Sequence, residues 1–469
     1  MTLVLGIDSS TQSTKALLVD ATDGTVVERR QVPHPPGTEV DPRAWLAAVD
    51  DATADLLPRA AAVAVGGQQH GMVALDADGA PVRDALLWND VRSAGSAADL
   101  VAEWGGPQAC ADLVGSTLVS SFTAAKLRWT RDHEPAAARR VSSVLLPHDY
   151  VSRHLSAPGT PAFTDRGDAS GTGYFSPRED RWLPELAASA LGHEPALPRL
   201  VPPGLPGAET TAGAVVGAGT GDNMAAALGM QLTPGDVLLS VGTSGVASMV
   251  SASPTADGSG AVTGFCDATG RFLPMTATLN AAQILDLQCR WLGVDHDTLS
   301  ALALESPSGA QGVSLLPYYG GERTPNRPEA VGTWTGLRTH TTRADLARAA
   351  FESLACSLTE AVGQITGRLE GEPARVLLVG GAARSEALRV ILAGVLGRPV
   401  LVAEPAEYVA IGAARQAAWT LAGATEPPPW PAPRASEVVA PATPEVLERY
   451  ALLRERTRDW EPGAHGRAD

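Results

Sequence analysis

Two short turns rich in hydroxyls and glycine, two aspartates, and one run of amide and imidazole side chains are the residues of this chain best suited to chemistry. The first turn is Ser9-Ser10-Thr11-Gln12-Ser13-Thr14-Lys15, set directly after Asp8. An aspartate beside such a turn can hold Mg²⁺ through water, while the turn's amides, hydroxyls and lysine face phosphate oxygens. The same residues also suit an ordinary hairpin turn, since Ser, Thr and Asp favour turns without any ligand. The second turn, Gly242-Thr243-Ser244-Gly245, lets the backbone approach an anion closely because glycine carries no Cβ. Two such turns facing each other would clamp a polyphosphate from both sides. Neither GxxxxGK[ST] nor a GxGxxG leading into a suitable helix is present, which excludes Walker-type and Rossmann nucleotide sites.

Asp222 and Asn223 follow the glycine turn GAGTG and open an alanine-rich stretch. An aspartate in that position is by default a helix cap. Placed beside a phosphoryl group, it would instead be a general base that takes the proton of an attacking hydroxyl. The run Gly66-Gly67-Gln68-Gln69-His70-Gly71 puts three polar side chains on a turn after an apolar strand. They offer donors and acceptors without charge, as a neutral polyol requires, although a lone histidine is more often structural. Trp88, Asn89, Asp90 and Arg92 follow in LLWNDVRS. An aromatic face beside polar groups suits a sugar, and Trp88 equally suits a core.

The elements that must position these residues read as strands followed by helices, which is the α/β class. Leu3 to Ile7 and Ala16 to Val19 form apolar runs around the first turn, and VLLS and VASMV repeat that grammar around the second. The repetition predicts two related domains with a boundary near residues 228–236. A third unit, ARVLLVGGAARSEALRVILAGVLG, reads as a buried strand, a Gly-Gly turn and a helix from about Ser385. PEVLERYALLRERTRDWEP reads as an amphipathic helix, compatible with packing on its own domain or across a homodimer, and GAHGRAD as a frayed tail. The 469 residues allow about two to four domains. A net charge of −16 argues against nucleic acid or an anionic membrane as partner. The four cysteines, Cys110, Cys266, Cys289 and Cys356, lie far apart with no C-x-x-C pair, which fits thiols in a reducing compartment. No secretory leader or spanning run is legible, so a soluble, cytoplasmic protein is expected.

Taken together, these segments resemble the FGGY family of carbohydrate kinases, within the actin/Hsp70/sugar-kinase superfamily, from Leu3 to about Leu421. SFTAAKLRWTRDH matches one long family pattern through Thr123, Lys126, Leu127 and Trp129, with Thr130 where an apolar residue is usual. GTWTGLRTHTTRADLARAAFES matches another through Gly336, Leu337, Asp345, Leu346, Ala349 and Glu352. GGQQHG, LLWNDVRS, LLPHDYVSRHL, TDRGDASGTGYF, GDNMAAALG, SVGTSGV and LLPYYGGERTP are similar to the xylulose-phosphorylating branch. That branch usually has Met where Gln69 stands and the family usually has Gly where Ser10 stands, which leaves the sugar preference open at Gln69.

The resemblance implies two actin-like (ribonuclease H-like) α/β domains, residues 1–231 and 232–469, with ATP and a ketopentose in an interdomain cleft. It implies ATP and Mg²⁺ as cofactors, and phosphorylation of D-xylulose at its 5-hydroxyl in D-xylose catabolism feeding the pentose phosphate pathway. Asp222 matches the catalytic base, and Asp8 the acidic residue near Mg²⁺ and the phosphates. Thr11, Gln12, Lys15, Gly242 and Thr243 fall on phosphate turns, and Gly380, Gly381 and Ser385 on the adenosine motif. Gln69 and His70 match the sugar-contacting pair, joined by Asn223 and by Trp88, Asn89 and Asp90. Two alternatives stay open. One is a kinase for ribulose, gluconate or glycerol, with Arg92 as the one nearby cation for a gluconate carboxylate. The other is a sugar-independent ATPase switch.

Overall fold

The computed structural model describes residues 1–369 and 371–460, so the tail expected at 463–469 lies outside the described residues. Continuous apolar runs form the central strands, because a strand covered on both faces needs no polar alternation. Leu3–Ser9 (β1) and Ser13–Asp20 (β2) are such an antiparallel pair, mostly buried. Val26–Pro33 (β3), rich in charge and largely exposed, forms the edge beside β2. Ala62–Gly67 (β4), wholly buried, runs parallel to β1 on its other side. Two helices that serve the site follow, Thr123–His133 (α1) and Pro147–Leu155 (α2). Pro206–Glu209 (β5), Val215–Gly217 (β6) and Thr220–Gly221 (β7) lead into the helix Asp222–Gly229 (α3). The sheet order is β5-β6-β4-β1-β2-β3, with β7 also paired to β4.

The pattern then repeats. Asp236–Val241 (β8) and Gly245–Met249 (β9) form the second hairpin, and Phe272–Thr278 (β10) pairs antiparallel with β9 through Met275 to Thr278. The helices Ala282–Leu292 (α4) and Arg343–Thr366 (α5) follow, the latter opened by a reciprocal cap between Thr342 and Asp345. Arg375–Val379 (β11) lies parallel to β8, and Glu386–Leu396 (α6) starts at Ser385, whose hydroxyl accepts from Leu388 N. Val400–Ala403 (β12) is parallel to β11, and after the helix Tyr408–Ala422 (α7) the strand Ala435–Val438 (β13) pairs antiparallel with β12. The order β10-β9-β8-β11-β12-β13 repeats the six-strand path of the first sheet in order and sense, and Thr263–Cys266 adds a seventh strand beyond β10.

By contacts the chain divides into two compact units. The first holds residues 1–232, 250–274 and 406–432, and the second holds 233–249, 275–405 and 433–469. Within the first unit, α7 covers one sheet face, where Ala410, Ala414, Ala417, Ala418 and Trp430 pack on Val4, Leu17, Val19, Ala62 and Ala64. Gly6 makes this approach possible, since a Cβ there would lie 2.0 Å from Ala410 O. The opposite face buries Leu5, Ile7, Ala16 and Leu18 against Trp45, Val49 and Val151.

The C-terminal helix Pro444–Arg456 (α8) packs within the second unit through Val446, Tyr450 and Leu453 and pairs Arg454 with Glu360. All four cysteines are free thiols. No described helix is long and apolar enough to cross a membrane.

Candidate active site

The end of β4 is the hub of the site. Asp8 on β1 and Thr220 on β7 are both register partners of Gly66, while Ser9 and Gly221 are both partners of Gly67. Asp8 and the residue before Asp222 therefore flank β4 on opposite sides, about 10 Å apart at two strand spacings. Gln68, Gln69 and His70 leave the same strand end between them. Gly67 has to be glycine, because a Cβ there would meet His148 Cβ at 2.8 Å.

Asp222 opens α3, where N–H groups and the helix dipole favour a negative charge. Its Oδ1 accepts from Asn223 N (2.8 Å) and Asn223 Nδ2 (2.9 Å). Burial pushes the carboxyl up to about 7, the charges of Asp8 and Asp168 add to the rise, and the Asn223 bonds oppose it. A carboxylate poised near neutrality suits proton abstraction. Asn223 Nδ2 also reaches Gln69 Oε1 at 2.8 Å and so links the base to the amide–imidazole turn.

In the first turn, Asp8 accepts from the Ser10 hydroxyl and lies 3.5 Å from Lys15 Nζ, while Lys15 also pairs with Glu407 at 2.7 Å. Burial raises the Asp8 carboxyl above its usual range against the opposing pull of Ser10 and Lys15. His34, unremarked in the sequence, braces the turn. Its Nδ1 lies 2.9 Å from Ser10 O and its Nε2 lies 2.8 Å from Thr14 Oγ1. Thr11 donates to Gln68 Oε1 (3.3 Å) and accepts from Trp88 Nε1 (3.0 Å), so three of the predicted segments meet here. Gln12 is exposed, and its carbonyl accepts from His34 N.

His70 sits at a left-handed φ of 65°, with Nδ1 2.7 Å from Gly171 O and its ring clustered with those of Phe122 and Phe265. Trp88 is 41% exposed and Asn89 is exposed. Asp90 is buried and engaged in structure. One oxygen accepts from Thr38, and the other from Arg92 N and Nε. Arg92 is further held by Glu39 and lies over the Trp129 ring.

In the second unit, Gly242, Thr243 and Ser244 form an exposed turn. Gly380 stands beside it at φ 99°, where a Cβ would meet Val241 O at 2.5 Å. A Cβ at Gly381 would meet nothing within 4 Å. Ser385 caps α6 and donates to Ser300 Oγ.

These residues fit a Mg–nucleotide. Asp8 and the buried Ser9 hydroxyl, which has no partner in the structure, supply hard oxygen donors. No group of three or more His, Cys, Asp or Glu able to hold a metal occurs among the described residues. Mg²⁺ keeps waters and phosphate oxygens rather than an all-protein cage, so a few hard oxygen donors are what the chain would have to supply. Gln68 Nε2 and Gln69 Nε2 are likewise buried without a partner.

Sequence reasoning missed the layer behind the hub. His148 on α2 is fully buried, with Nδ1 2.7 Å from Asp168 and Nε2 3.1 Å from Asp149. Burial opposes its charge, yet the two carboxylates push its imidazole up to about 9. Asp165 accepts from Gly167 N, Asp168 N and Thr220 Oγ1. These residues are far apart in sequence and each reads as a cap or a turn, so only their shared motifs hinted at a role. Lys126 on α1 is also buried, and it donates to the carbonyls of Ser120 and Ser121, just before Phe122.

Comparison with known proteins extends over nearly the whole chain. Residues 3–229 match the N-terminal domain, and residues 237–421 the C-terminal domain, of the FGGY family of carbohydrate kinases. A xylulose kinase of Streptomyces coelicolor is 45% identical over 436 residues, covering 90% of this chain and 88% of that protein. The crystal structure of a xylulose kinase from Bifidobacterium adolescentis superposes with a TM-score of 0.91 at 40% identity, covering 97% of this chain and 99% of that one. A glycerol kinase structure from Plasmodium falciparum shares the fold, with a TM-score of 0.87 at 16% identity and 98% of each chain covered.

Proposed function

The chain belongs to the FGGY family of carbohydrate kinases, enzymes that use ATP with Mg²⁺, and on that premise we propose that it phosphorylates D-xylulose at the 5-hydroxyl to give D-xylulose 5-phosphate and ADP. The observation that carries the residue assignment is the row at the end of β4. There Asp222, held by Asn223, is tied through the same side chain to Gln69, with Asp8 on the other flank. The near relatives that act on xylulose support the choice of sugar. Arg92 speaks against gluconate, because Asp90, Glu39 and Trp129 already engage the guanidinium that a carboxylate would need.

In this reading Gln69, His70 and Asn223 orient the sugar, with Trp88 and Asn89 along its approach. Asp222 takes the proton of the 5-hydroxyl as its oxygen attacks the γ-phosphorus. Thr11, Gln12, Lys15, Gly242 and Thr243 bind phosphate oxygens, Gly380 and Gly381 give the adenosine a flat backbone approach, and Asp8 holds the metal ion. Mg²⁺, when bound, supplies charge neutralisation at the phosphates. The four free thiols suit a cytoplasmic enzyme.

The test is ADP release with Mg²⁺ and ATP across D-xylulose, D-ribulose, L-ribulose, D-gluconate, glycerol and D-arabitol, with a no-sugar control. Strong stimulation by D-xylulose is expected. Hydrolysis independent of sugar would replace the kinase reading with an ATPase switch. Asp222→Asn should lower kcat by about 10²–10⁴ while nucleotide binding persists, and near-normal turnover would remove Asp222 from its role. Because the base must be ionised, kcat/KM should hold above pH 7 and fall as pH drops through about 7.

A further inference from the structure

The segment Gly320-Gly321-Glu322-Arg323-Thr324-Pro325 has no role in the reaction just described, yet it is built around one buried carboxylate. Glu322 is 1% exposed and accepts from Leu279 N (2.6 Å), Arg323 N (2.8 Å), Asn280 N (3.3 Å) and Asn280 Nδ2 (3.0 Å). Asn280, itself fully buried, also donates to Gly321 O at 2.7 Å. The hydrogen bonds of the carboxylate are thus spent on shaping the loop, and none of them goes to the guanidinium beside it. Arg323 is exposed as a residue, and among the described residues its guanidinium makes no hydrogen bond or close ion pair, although packing partly desolvates it and the Glu322 charge acts on it.

The loop is linked to the second hairpin on both sides of Arg323, to its turn on one side and to its strand β9 on the other. On the Glu322 side, Ala281 and Ala282, which follow Asn280, donate to Thr243 O (3.2 Å) and Gly242 O (2.9 Å). On the other side, the Thr324 hydroxyl donates to Ala277 O (3.0 Å) on β10, and Ala277 is the register partner of Val246 on β9. A cation whose one charged neighbour, Glu322, is already committed to backbone and amide donors, on a loop tied to the second hairpin, is arranged for an anion. The guanidinium fork matches phosphate oxygens bidentately, which a point charge cannot do.

We propose that Arg323 is a further catalytic residue that binds the β- or γ-phosphate of the nucleotide seated at the Gly242–Gly245 turn and stabilises the charge that builds there during transfer. The inference rests on reading that turn as a phosphate site. Arg323→Gln, Arg323→Lys and Thr243→Glu, the last placing a carboxylate on the exposed turn, separate the two claims. Each variant is measured for melting temperature, for affinity toward ADP, ATP and adenosine with Mg²⁺, and for kcat and KM toward D-xylulose.

For Arg323→Gln the expected result is an unchanged melting temperature and a kcat lower by about 10²–10³-fold. ADP and ATP should bind more weakly, while adenosine affinity and the sugar KM stay unchanged. Arg323→Lys should fall between it and the parent, because it keeps charge but loses the fork. Thr243→Glu should lose ADP and ATP. If Thr243→Glu loses the nucleotide while Arg323→Gln keeps kcat and ADP affinity within about twofold, Arg323 is overturned and the turn stands. If Thr243→Glu binds ADP and ATP as the parent does, the phosphate turn fails and the inference falls with it.

Discussion

His70 shows how much of a site can depend on atoms that are missing. Its ring is held by Gly171 O at Nδ1, so that nitrogen carries the proton and Nε2 is left as the acceptor in the neutral ring. The contact exists because residue 171 has no side chain, since a Cβ there would stand 2.6 Å from Nδ1 and 2.7 Å from Cε1. Gly171→Ala should therefore displace the imidazole and raise the sugar KM about tenfold or more, leaving the ATP KM unchanged. A sugar KM within twofold of the parent, from steady-state kinetics, would show that His70 is not set by this contact. Asp8 and Asp222 were legible in the sequence because each sits where an apolar run meets small polar residues. Asp90 stood out for the same reason, but Thr38 and Arg92 satisfy it, and only the fold brings those partners to it. Gly171 lay within the motif TDRGDASGTGYF, but its reason was not legible there, because the atom that explains it belongs to a residue a hundred positions away.

At the scale of elements, the two hairpins and the Gly-Gly turns were readable, since strand and turn composition is local. The crossing of α3 and α7 was not, because each helix reads only as alanine-rich. Gly412 lets the two backbones meet. A Cβ there would lie 1.8 Å from Ala225 O and 2.9 Å from Gly229 N, and a Cβ at Gly229 would lie 2.2 Å from Tyr408 O. None of these atoms is a side-chain tip that can turn aside, so Gly412→Ala has to push the helices apart. Overpacking of this kind costs about 1–3 kcal/mol or more, and the first turn of α3 carries Asp222. The expected outcome is a melting temperature lower by several degrees and a fall in kcat larger than that loss of folded protein explains. Unchanged melting and turnover would mean that the crossing yields without consequence.

At the scale of the molecule, the related hairpins pointed to two similar halves, and the sheets repeat one strand order. What the sequence did not display is that residues 250–274 and 406–432 belong with the first half, because membership is decided by burial rather than by order along the chain. Truncation after residue 405 should therefore damage the first unit. It uncovers the face formed by Val4, Leu17, Val19, Ala62 and Ala64. The truncated protein should lose hydrogen-exchange protection in β1, β2 and β4, and full protection of those strands would contradict this division. The same division sets a timetable for synthesis. Residues 1–232 leave the ribosome well before 406–432, and at about 5–20 residues per second the wait is about 10–40 s. Throughout that interval the sheet that carries Asp8 is a nascent surface without its cover, so the half of the enzyme made first is completed almost last.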